Sequence, residues 1–342
     1  MATIYGTAGA DTLTGTAGDD VIYGMEGNDS MPAGGGADVL LGGDGDDRMF
    51  GQGENDMLFG QKGDDVLDGG DGNDYLDGGD GWDSIRGGSG NDTIQGGSGN
   101  DSLWGDGGDD IMDGGSGDDS IQGFAGSDTL NGGTGNDVIR DGLGDDSVAG
   151  GSGDDLLIAE GGNDYFNGGS GFDTLDFSAS SVGIVADLAK HVVTGVGTSE
   201  VWSVERLVGS IHDDVMKGDK GDNALVGGAG DDELRGMGGV DTLTGGSGHD
   251  TFVFLAKDVL APDATHLGVD IVTDFNAGDT LDLHDLRKDK KVALDDAFHL
   301  TQMDGGTMLS ALVDGAYVEV AFLQGVRGGL ASAWATDGML IG

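Results

Sequence analysis

The sequence predicts an all-β solenoid, and three observations lead to this prediction. A nine-residue period runs without a slip from Gly6 to Asp176, with the consensus Gly-Gly-x-Gly-x-Asp-x-U-x, in which U is a large apolar residue. Each unit has one aspartate after a glycine-rich turn, and each has one apolar residue, at its eighth position, that is suited to face the interior. A fixed period of this kind is typical of solenoids, in which each unit buries its apolar face only against its neighbours.

The first block contains nineteen units, which begin at Gly6 and step by nine to Gly168. The fourth position is glycine everywhere except at Glu54, and the eighth position is always large and apolar. The sixth position is aspartate in all nineteen units: Asp11, Asp20, Asp29, Asp38, Asp47, Asp56, Asp65, Asp74, Asp83, Asp92, Asp101, Asp110, Asp119, Asp128, Asp137, Asp146, Asp155, Asp164 and Asp173.

The residue types of the repeat favour calcium. Glycines at positions one, two and four permit backbone angles that are closed to other residues, so their carbonyl groups can point at a common centre. The aspartate adds a carboxylate at that centre. An oxygen-rich, flexible cage suits Ca²⁺ better than Zn²⁺ or Cu²⁺. Positions seven to nine are too short for a helix and predict a three-residue strand, with position eight facing inward.

A second block of five units resumes out of phase at Gly209. Two residues depart from its pattern, because His212 stands where glycine is expected and an asparagine occupies one sixth position. A neutral amide oxygen predicts a weaker site than a carboxylate. The sixth positions of this block are Asp214, Asn223, Asp232, Asp241 and Asp250.

These units resemble the RTX (repeats-in-toxin) nonapeptides of bacterial proteins that leave the cell by type I secretion. The resemblance implies a parallel β-roll, a right-handed β-helix solenoid in which two units form one coil and units n and n+2 stack. It also implies that each Ca²⁺ lies between two stacked turns, bound by backbone carbonyls and by the sixth-position side chain of each. On that spacing about twenty Ca²⁺ would reduce the net charge from −49 to about −9.

Folding is expected to depend on the metal. One inward apolar residue in nine is a thin core, and the chain carries 64 acidic and only 15 basic side chains. High net charge with few aromatic residues is typical of disorder when no cation neutralises it. We therefore expect a chain that is disordered without Ca²⁺ and ordered with it.

The composition divides the chain into four regions: the first repeat block at 1–176, a wider β coil at 177–208, the second block at 209–253, and a β-rich cap at 254–342. The resemblance to RTX proteins implies an uncleaved type I secretion signal at the far end of the last region. Alternation predicts strands over 182–188 and 200–208. In the last region, 292–300 reads as a short helix, and 307–313 and 316–323 read as strands around the turn Asp314-Gly315. The stretch Asp270–Leu283 is similar to the segment that closes many RTX domains.

Several functions are excluded by composition. Nucleic acid and anionic membranes need clustered Lys and Arg, and no apolar run is long enough to cross a bilayer. Cysteine is absent, so no disulfide forms. No Sec-type signal peptide and no motif of a zinc protease, lipase or phosphate loop is present.

The Asp-Asp pairs are interpreted as a ligand beside a solvated neighbour, and the scattered histidines as surface or structural residues: His191, His212, His249, His266, His284 and His299.

The sequence therefore predicts a secreted, non-enzymatic calcium-binding structural protein of a surface layer, filament or matrix. One face of the first coils carries the outward apolar pairs Val21/Tyr23, Val39/Leu41 and Met57/Phe59, and an apolar strip of this kind is expected to be covered. The C-terminal cap could cover it, or isolated aromatic side chains could be tolerated there. The interpretation we favour is that another subunit covers it, which would give a homo-oligomer, filament or sheet. Two alternatives remain open: an adhesin-like or polysaccharide-binding RTX module acting at a cell surface, and an enzyme with an unfamiliar site in the C-terminal region.

Overall fold

The structure is a computed structural model that describes residues 1–255, 258, 269–283, 285, 298–313, 316–326 and 339–341. The chain forms two compact units, Met1–Leu175 and Asp176–Gly342. Each unit is all-β, with parallel strands stacked as a β-solenoid. Among the described residues, no helix is long and apolar enough to cross a membrane.

The strands of the first unit alternate between two sheets. Their bounds are β1 (Thr3–Tyr5), β2 (Val21–Glu26), β3 (Ser30–Pro32), β4 (Val39–Asp44), β5 (Arg48–Gly53), β6 (Met57–Lys62), β7 (Val66–Asp71), β8 (Tyr75–Asp80), β9 (Ser84–Ser89), β10 (Thr93–Ser98), β11 (Ser102–Gly107), β12 (Ile111–Ser116), β13 (Ser120–Ala125), β14 (Thr129–Thr134), β15 (Val138–Leu143), β16 (Ser147–Ser152), β17 (Leu156–Ile158) and β18 (Tyr165–Ser170). A further strand, β19 (Thr174–Asp176), spans the boundary with the second unit.

Each strand pairs in parallel with the strand 18 residues later. Val21 pairs with Val39 between β2 and β4, and Arg48 pairs with Val66 between β5 and β7. Even-numbered strands together with β1 form one sheet, and odd-numbered strands from β3 to β17 form the other. Two nonapeptides therefore make one coil, as the resemblance to RTX proteins implied.

The core of the first unit is a ladder of eighth-position side chains. Leu13 is 8% exposed, and every later member of the ladder is at most 1% exposed. The flanking seventh and ninth positions are half-buried or exposed, because successive side chains of a strand point to opposite faces. The ladder consists of Leu13, Ile22, Met31, Leu40, Met49, Leu58, Leu67, Leu76, Ile85, Ile94, Leu103, Met112, Ile121, Leu130, Ile139, Val148, Leu157, Phe166 and Leu175.

Most strands are longer than the sequence predicted. A typical strand has six residues instead of three, since it runs on through the first three positions of the next unit. In β2 the pairing with β4 continues past the buried Gly24 to Met25 and Glu26. The backbone of the glycine turn therefore joins the parallel ladder instead of leaving it.

The second unit begins with an irregular coil and ends with an antiparallel sheet. Its elements are β20 (Val185–Asp187), the 3₁₀ helix η1 (Leu188–Lys190), β21 (Val192–Thr194), β22 (Thr198–Trp202), β23 (Arg206–Val208), β24 (Val215–Lys217), β25 (Ala224–Ala229), β26 (Glu233–Arg235), β27 (Thr242–Ser247), β28 (Thr251–Val253), β29 (Asp270–Val272), β30 (Thr280–Asp282), β31 (Phe298–Met303), β32 (Gly306–Val313), β33 (Ala316–Gln324) and β34 (Met339–Ile341).

The region 177–208 joins the stack but holds more strands than predicted. β20 pairs in parallel with β24, and β23 pairs in parallel with β25. Between them, β21 pairs antiparallel with both β20 and β22. Alternation indicated one strand over 182–188, where β20 lies, and one over 200–208, which β22 and β23 divide. β21 was not predicted, and its two antiparallel pairings are short-range hairpins that the alternation does not reveal.

The end of the second unit confirms one prediction and corrects another. β32 and β33 pair antiparallel, with Val313 opposite Ala316, as expected, while Asp314-Gly315 lies outside the described residues. The predicted helix at 292–300 is wrong for Phe298–Leu300, which belong to β31 and pair with β32; residues 292–297 lie outside the described part. Strand pairing, which is non-local, overrode the local preference. β33 pairs in parallel with β29, and β34 pairs antiparallel with β30.

Candidate metal centre

The sixth-position side chains form two buried rows in the first unit, one beside each sheet. Apart from Asp11, each is at most 4% exposed. The backbone N–H of each aspartate donates a hydrogen bond to Oδ1 of the aspartate 18 residues later, as in Asp47 to Asp65 at 2.7 Å. The same bond recurs from Asp11–Asp29 to Asp155–Asp173 at 2.7–3.1 Å.

The second carboxylate oxygen of most of these residues has nothing to bind. Within the described part of the chain, this Oδ2 atom is buried and accepts no hydrogen bond in Asp29, Asp38, Asp47, Asp56, Asp65, Asp74, Asp83, Asp92, Asp101, Asp110, Asp119, Asp128, Asp137, Asp146, Asp155, Asp232, Asp241 and Asp250. Buried polar groups in proteins are nearly always paired, and an isolated buried charge costs several kcal/mol or more. A row of buried, unpaired carboxylate oxygens therefore indicates a set of cation-binding sites.

The glycine turns add backbone oxygens to the same gaps. Between the turns that begin at Gly69 and Gly87, a Cβ added to Gly69 would contact Oδ2 of Asp74 and would lie 2.7 Å from the Gly87 carbonyl oxygen. Cβ atoms added to Gly88 and Gly90 would overlap the carbonyl oxygens of Gly70 and Gly72. Oδ1 of Asp92 faces this gap as well, because it accepts the N–H of Asp74 at 2.8 Å.

This donor set fits calcium. It contains only oxygen, part neutral carbonyl and part carboxylate, and the glycines bring these oxygens so close that an added Cβ would collide with them. Ca²⁺ takes six to eight such ligands in flexible geometry, whereas Zn²⁺ prefers nitrogen and sulfur. Each interior aspartate also serves two gaps, since Oδ1 faces the preceding turn and Oδ2 faces the following one.

The electrostatics of the rows agree with this fit. The pKa of Asp65 is raised to about 8, chiefly by burial and also by the carboxylates of Asp83 and Asp47, while the backbone N–H of Asp47 acts to lower it. Burial likewise raises the pKa of Asp56 to about 7. The protein alone therefore disfavours the ionised form of these groups.

The first two turns are different. At Asp20, Oδ2 accepts hydrogen bonds from the Thr16 N–H at 2.6 Å and the Thr16 hydroxyl at 2.8 Å. Asp11 is bound in the same way by Thr7. The pKa of Asp20 is lowered, chiefly by the Ala2 N–H and the Thr16 hydroxyl. A threonine at position two thus satisfies the carboxylate that glycine leaves open.

In the second block, the side-chain oxygens of two sixth-position residues likewise accept hydrogen bonds from the residue four positions earlier. Oδ2 of Asp214 accepts the Ser210 N–H at 2.6 Å, and its Oδ1 accepts the Ser210 hydroxyl at 3.0 Å. Oδ1 of Asn223 accepts the Asp219 N–H at 2.8 Å. Both residues still lie in their rows, because the N–H of each donates to the aspartate 18 residues later. Asp232, Asp241 and Asp250 keep the open Oδ2 of the first block.

Sequence reasoning missed two members of these rows. The Asp241 N–H donates to Oδ1 of Asp270, and the Asp250 N–H donates to Oδ1 of Asp279, each at 3.0 Å. The spacing is 29 residues instead of 18, so a search for a fixed period passes over them. The available signal was the order Asp, any residue, apolar residue, which recurs at Asp270 and Asp279.

The interpretation of the Asp-Asp pairs needs a correction. The fifth-position neighbour is exposed but is not merely solvated, since it forms a row of its own. The Asp64 N–H donates to Oδ1 of Asp46 at 3.1 Å, and the Trp82 N–H donates to Oδ1 of Asp64 at 2.9 Å. These bonds run in the opposite direction along the stack from those of the sixth position.

Asp141 is a further buried acid that the repeat pattern concealed, because it occupies the first position of its unit, where glycine is usual. Burial raises its pKa to about 8. Its carboxylate lies with those of Asp146 and Asp164, and one oxygen of each is within 4.8 Å of the others.

Comparison with known proteins agrees with the geometry. The RTX calcium-binding nonapeptide repeat family matches overlapping segments from residue 5 to residue 175 and a further segment at 217–252. A search of curated proteins found no match. RTX repeats bind calcium and are typical of secreted proteins. Because the matched segments cover more than half of its residues, this chain belongs to the RTX calcium-binding nonapeptide repeat family.

Proposed function

We propose that this protein is an extracellular, non-enzymatic structural protein, which folds when it binds Ca²⁺ and then associates with further copies of itself. The observation that supports folding most directly is the row of buried, unpaired Oδ2 atoms. Anions in such positions oppose the folded state until a cation joins them.

Residues of the chain itself would supply the oxygen ligands of each bound ion. In each consensus gap, the two aspartates supply carboxylate oxygens, and positions one, two and four supply carbonyl oxygens from the two turns. A bound Ca²⁺ supplies positive charge and ligand bonds that hold neighbouring coils together. Sites of extracellular modules typically bind at about 10⁻⁴ to 10⁻³ M, so such a chain would remain unfolded in the cytosol and fold after export.

Self-association rests on an apolar strip along one sheet, which we define as Tyr5, Val21, Tyr23, Val39, Leu41, Met57, Phe59 and Tyr75. Tyr5 is 61% exposed and Met57 is 50% exposed. The rings of Tyr5 and Tyr23 stack with centroids 5.0 Å apart, and those of Phe59 and Tyr75 lie 5.5 Å apart. Tyr75 is the last member of the strip and donates a hydrogen bond to Gln95 at 3.1 Å, since the outward residues of the next strand of this sheet, Thr93 and Gln95, are polar. The other members of the strip are half-buried, so together they form a continuous, partly exposed apolar surface, and such surfaces mark interaction sites.

Calcium-dependent folding is tested by circular dichroism and hydrodynamic radius of the full chain in EGTA, in millimolar Mg²⁺ and in millimolar Ca²⁺. We expect β signal and compaction only with Ca²⁺, because Mg²⁺ demands a tighter octahedral shell and loses water reluctantly. A full β signal in EGTA would contradict the proposal.

Self-association is tested by analytical ultracentrifugation and electron microscopy of the Ca²⁺-loaded protein. The double variant Tyr23→Ser/Phe59→Ser should reduce assembly, whereas Trp82→Ser should not, since Trp82 is 68% exposed but lies in a turn outside the strip. A wild-type protein that stays monomeric at high concentration would refute assembly and leave calcium-dependent folding untouched.

A carbohydrate-binding module is the second candidate, supported by a shallow depression on the other sheet. Its lining residues are Arg86, Trp104, Asp106 and Phe124, with an ion pair between Arg86 and Asp106. Asp106 and Phe124 pair across adjacent strands and hold positive φ angles of 71° and 74°, which cost energy in residues other than glycine. Affinity electrophoresis against polysaccharides, with Trp104→Ala as the variant, tests this function; retention that Trp104→Ala does not reduce would reject this depression as the site.

A further inference from the structure

Asp141 gives one inter-turn gap a composition that no consensus gap has. Its backbone keeps the usual role of the first position, because the Asp141 carbonyl oxygen faces Gly123 of the preceding turn, as glycine carbonyls do elsewhere in the stack. Its side chain is the additional element. It extends from the first position toward the following gap, between the turns that begin at residues 141 and 159.

The side chain is buried and only half satisfied. Asp141 has no exposed surface, and its Oδ1 accepts the N–H of Gly142 at 2.6 Å and the N–H of Glu160 at 2.9 Å. Its Oδ2 is buried and accepts no hydrogen bond from any described residue. An unpaired, buried carboxylate oxygen is the arrangement that the aspartates of the repeat show toward their own gaps.

The two repeat aspartates of this gap lie beside it. One oxygen each from Asp141, Asp146 and Asp164 falls within 4.8 Å of the other two, which is close enough for all three to bind one cation. The N–H of Asp146 donates to Oδ1 of Asp164 at 3.1 Å, so the usual link between stacked turns is kept. The nearby Arg140 guanidinium pairs with Glu160 at 2.6 Å and balances that carboxylate.

We propose that Asp141, Asp146 and Asp164 form a three-carboxylate Ca²⁺ site, which binds more tightly than the two-carboxylate sites of the other repeats. The inference rests on the calcium-dependent folding proposed above. Affinity of oxygen-ligand sites for Ca²⁺ rises with the number of charged ligands when the site is rigid. Here the third charge is held in place by two backbone N–H donors and needs no rearrangement to reach the ion.

The opposing possibility is that Asp141 fills the gap instead of lining it. In consensus turns, a Cβ at the first position would crowd the aspartate of its own unit and the next carbonyl, as it would at Gly132 with Asp137 and Gly150. Asp141 has a real Cβ there. An ion would then be missing from this gap, and the number of bound ions distinguishes the two outcomes.

The experiment measures bound ⁴⁵Ca²⁺ by equilibrium dialysis of the full-length protein across chelator-buffered free calcium. We expect wild type to retain one ion at free calcium about tenfold below that at which the others leave. Asp141→Asn and Asp141→Gly should both lose this tight ion; the glycine variant restores the consensus residue and protects the test against misfolding. Asp145→Asn is the matched control, because it removes one charge from the same turn at an exposed side chain whose Oδ1 accepts the N–H of Asn163.

Circular dichroism at saturating Ca²⁺ confirms that each variant folds. A single affinity class in wild type, or an additional ion in Asp141→Gly, would overturn the proposal while leaving calcium-dependent folding intact. If wild type binds no calcium and does not fold, the proposed function itself fails.

Discussion

The backbone N–H of Asp47 donates a 2.7 Å hydrogen bond to Oδ1 of Asp65, 18 residues later in the chain and directly above it in the stack. The other oxygen of Asp65 is buried and unpaired toward the following gap, beside the Gly78 carbonyl. One side chain therefore links two gaps, by a hydrogen bond to the turn below and by an open oxygen to the turn above. A change at one aspartate of a row therefore alters both of the gaps next to it.

Replacing Asp65 with Asn should weaken calcium-dependent folding more than replacing its neighbour. The amide keeps the shape but removes charge from two gaps, so we expect the Ca²⁺ midpoint of folding to rise several-fold. Asp64→Asn is the control, because Asp64 is exposed and belongs to the fifth-position row. A Ca²⁺ titration followed by circular dichroism measures both midpoints, and equal midpoints would show that the sixth-position charge is not special.

Without metal, acidification should stabilise the folded state. Burial raises the pKa of Asp47 to about 6, of Asp56 to about 7 and of Asp65 to about 8, above the ordinary value of 3.8. A group with a raised pKa contributes stability that is fully present below its unfolded pKa and is lost as pH rises through its folded pKa. We therefore expect the β signal in EGTA to increase as pH falls from 8 toward 4.

The same titration should oppose calcium. Because protons and Ca²⁺ compete for the same carboxylates, the Ca²⁺ midpoint should rise as pH falls from 8 to 5. Circular dichroism titrations at several pH values measure this effect. A midpoint that does not change with pH would argue against buried carboxylates as the ligands.

Removing the Thr16 hydroxyl should loosen the first coils without removing an ion. Thr16→Ala takes one hydrogen bond from Asp20 and should therefore speed local opening of the first coils. Hydrogen exchange of β1 and β2 amides measures the loss, and Thr16→Ser, which keeps the hydroxyl, is the control. Equal exchange in both variants would show that the backbone N–H of position 16 suffices.

A methyl group in the glycine turn should be costly where the stack is tight. Gly90 has a φ of 121°, and a Cβ there would overlap the Gly72 carbonyl oxygen, so Gly90→Ala should destabilise the protein by more than about 2 kcal/mol. Gly107→Ala is the control, because no atom lies within 4 Å of its added Cβ. Thermal unfolding in Ca²⁺ compares the two, and similar melting temperatures would contradict the packing of these turns.

Most of the fold could be predicted because the residues that determine it lie close together in each unit and recur in the next. Each unit carries its own strand, its own turn glycines and its own aspartate, so one unit describes the next. The eighth-position ladder and the aspartate rows follow from period alone, since a solenoid places equivalent positions above one another. The length of the strands did not follow, because whether a glycine turn stays in the sheet depends on the coil beside it.

Non-local contacts decided the remainder. The strand at Phe298–Leu300 exists because β32 lies beside it, and Asp270 and Asp279 join their rows across an irregular spacing. The period determined which residues would face the metal, because identical units stack identically. Only the tertiary structure decided which carboxylates are already hydrogen-bonded, as Asp20 is by Thr16, and which lie beside a further carboxylate, as Asp146 does beside Asp141. The physical reason is that both depend on the side chains that folding brings to each gap.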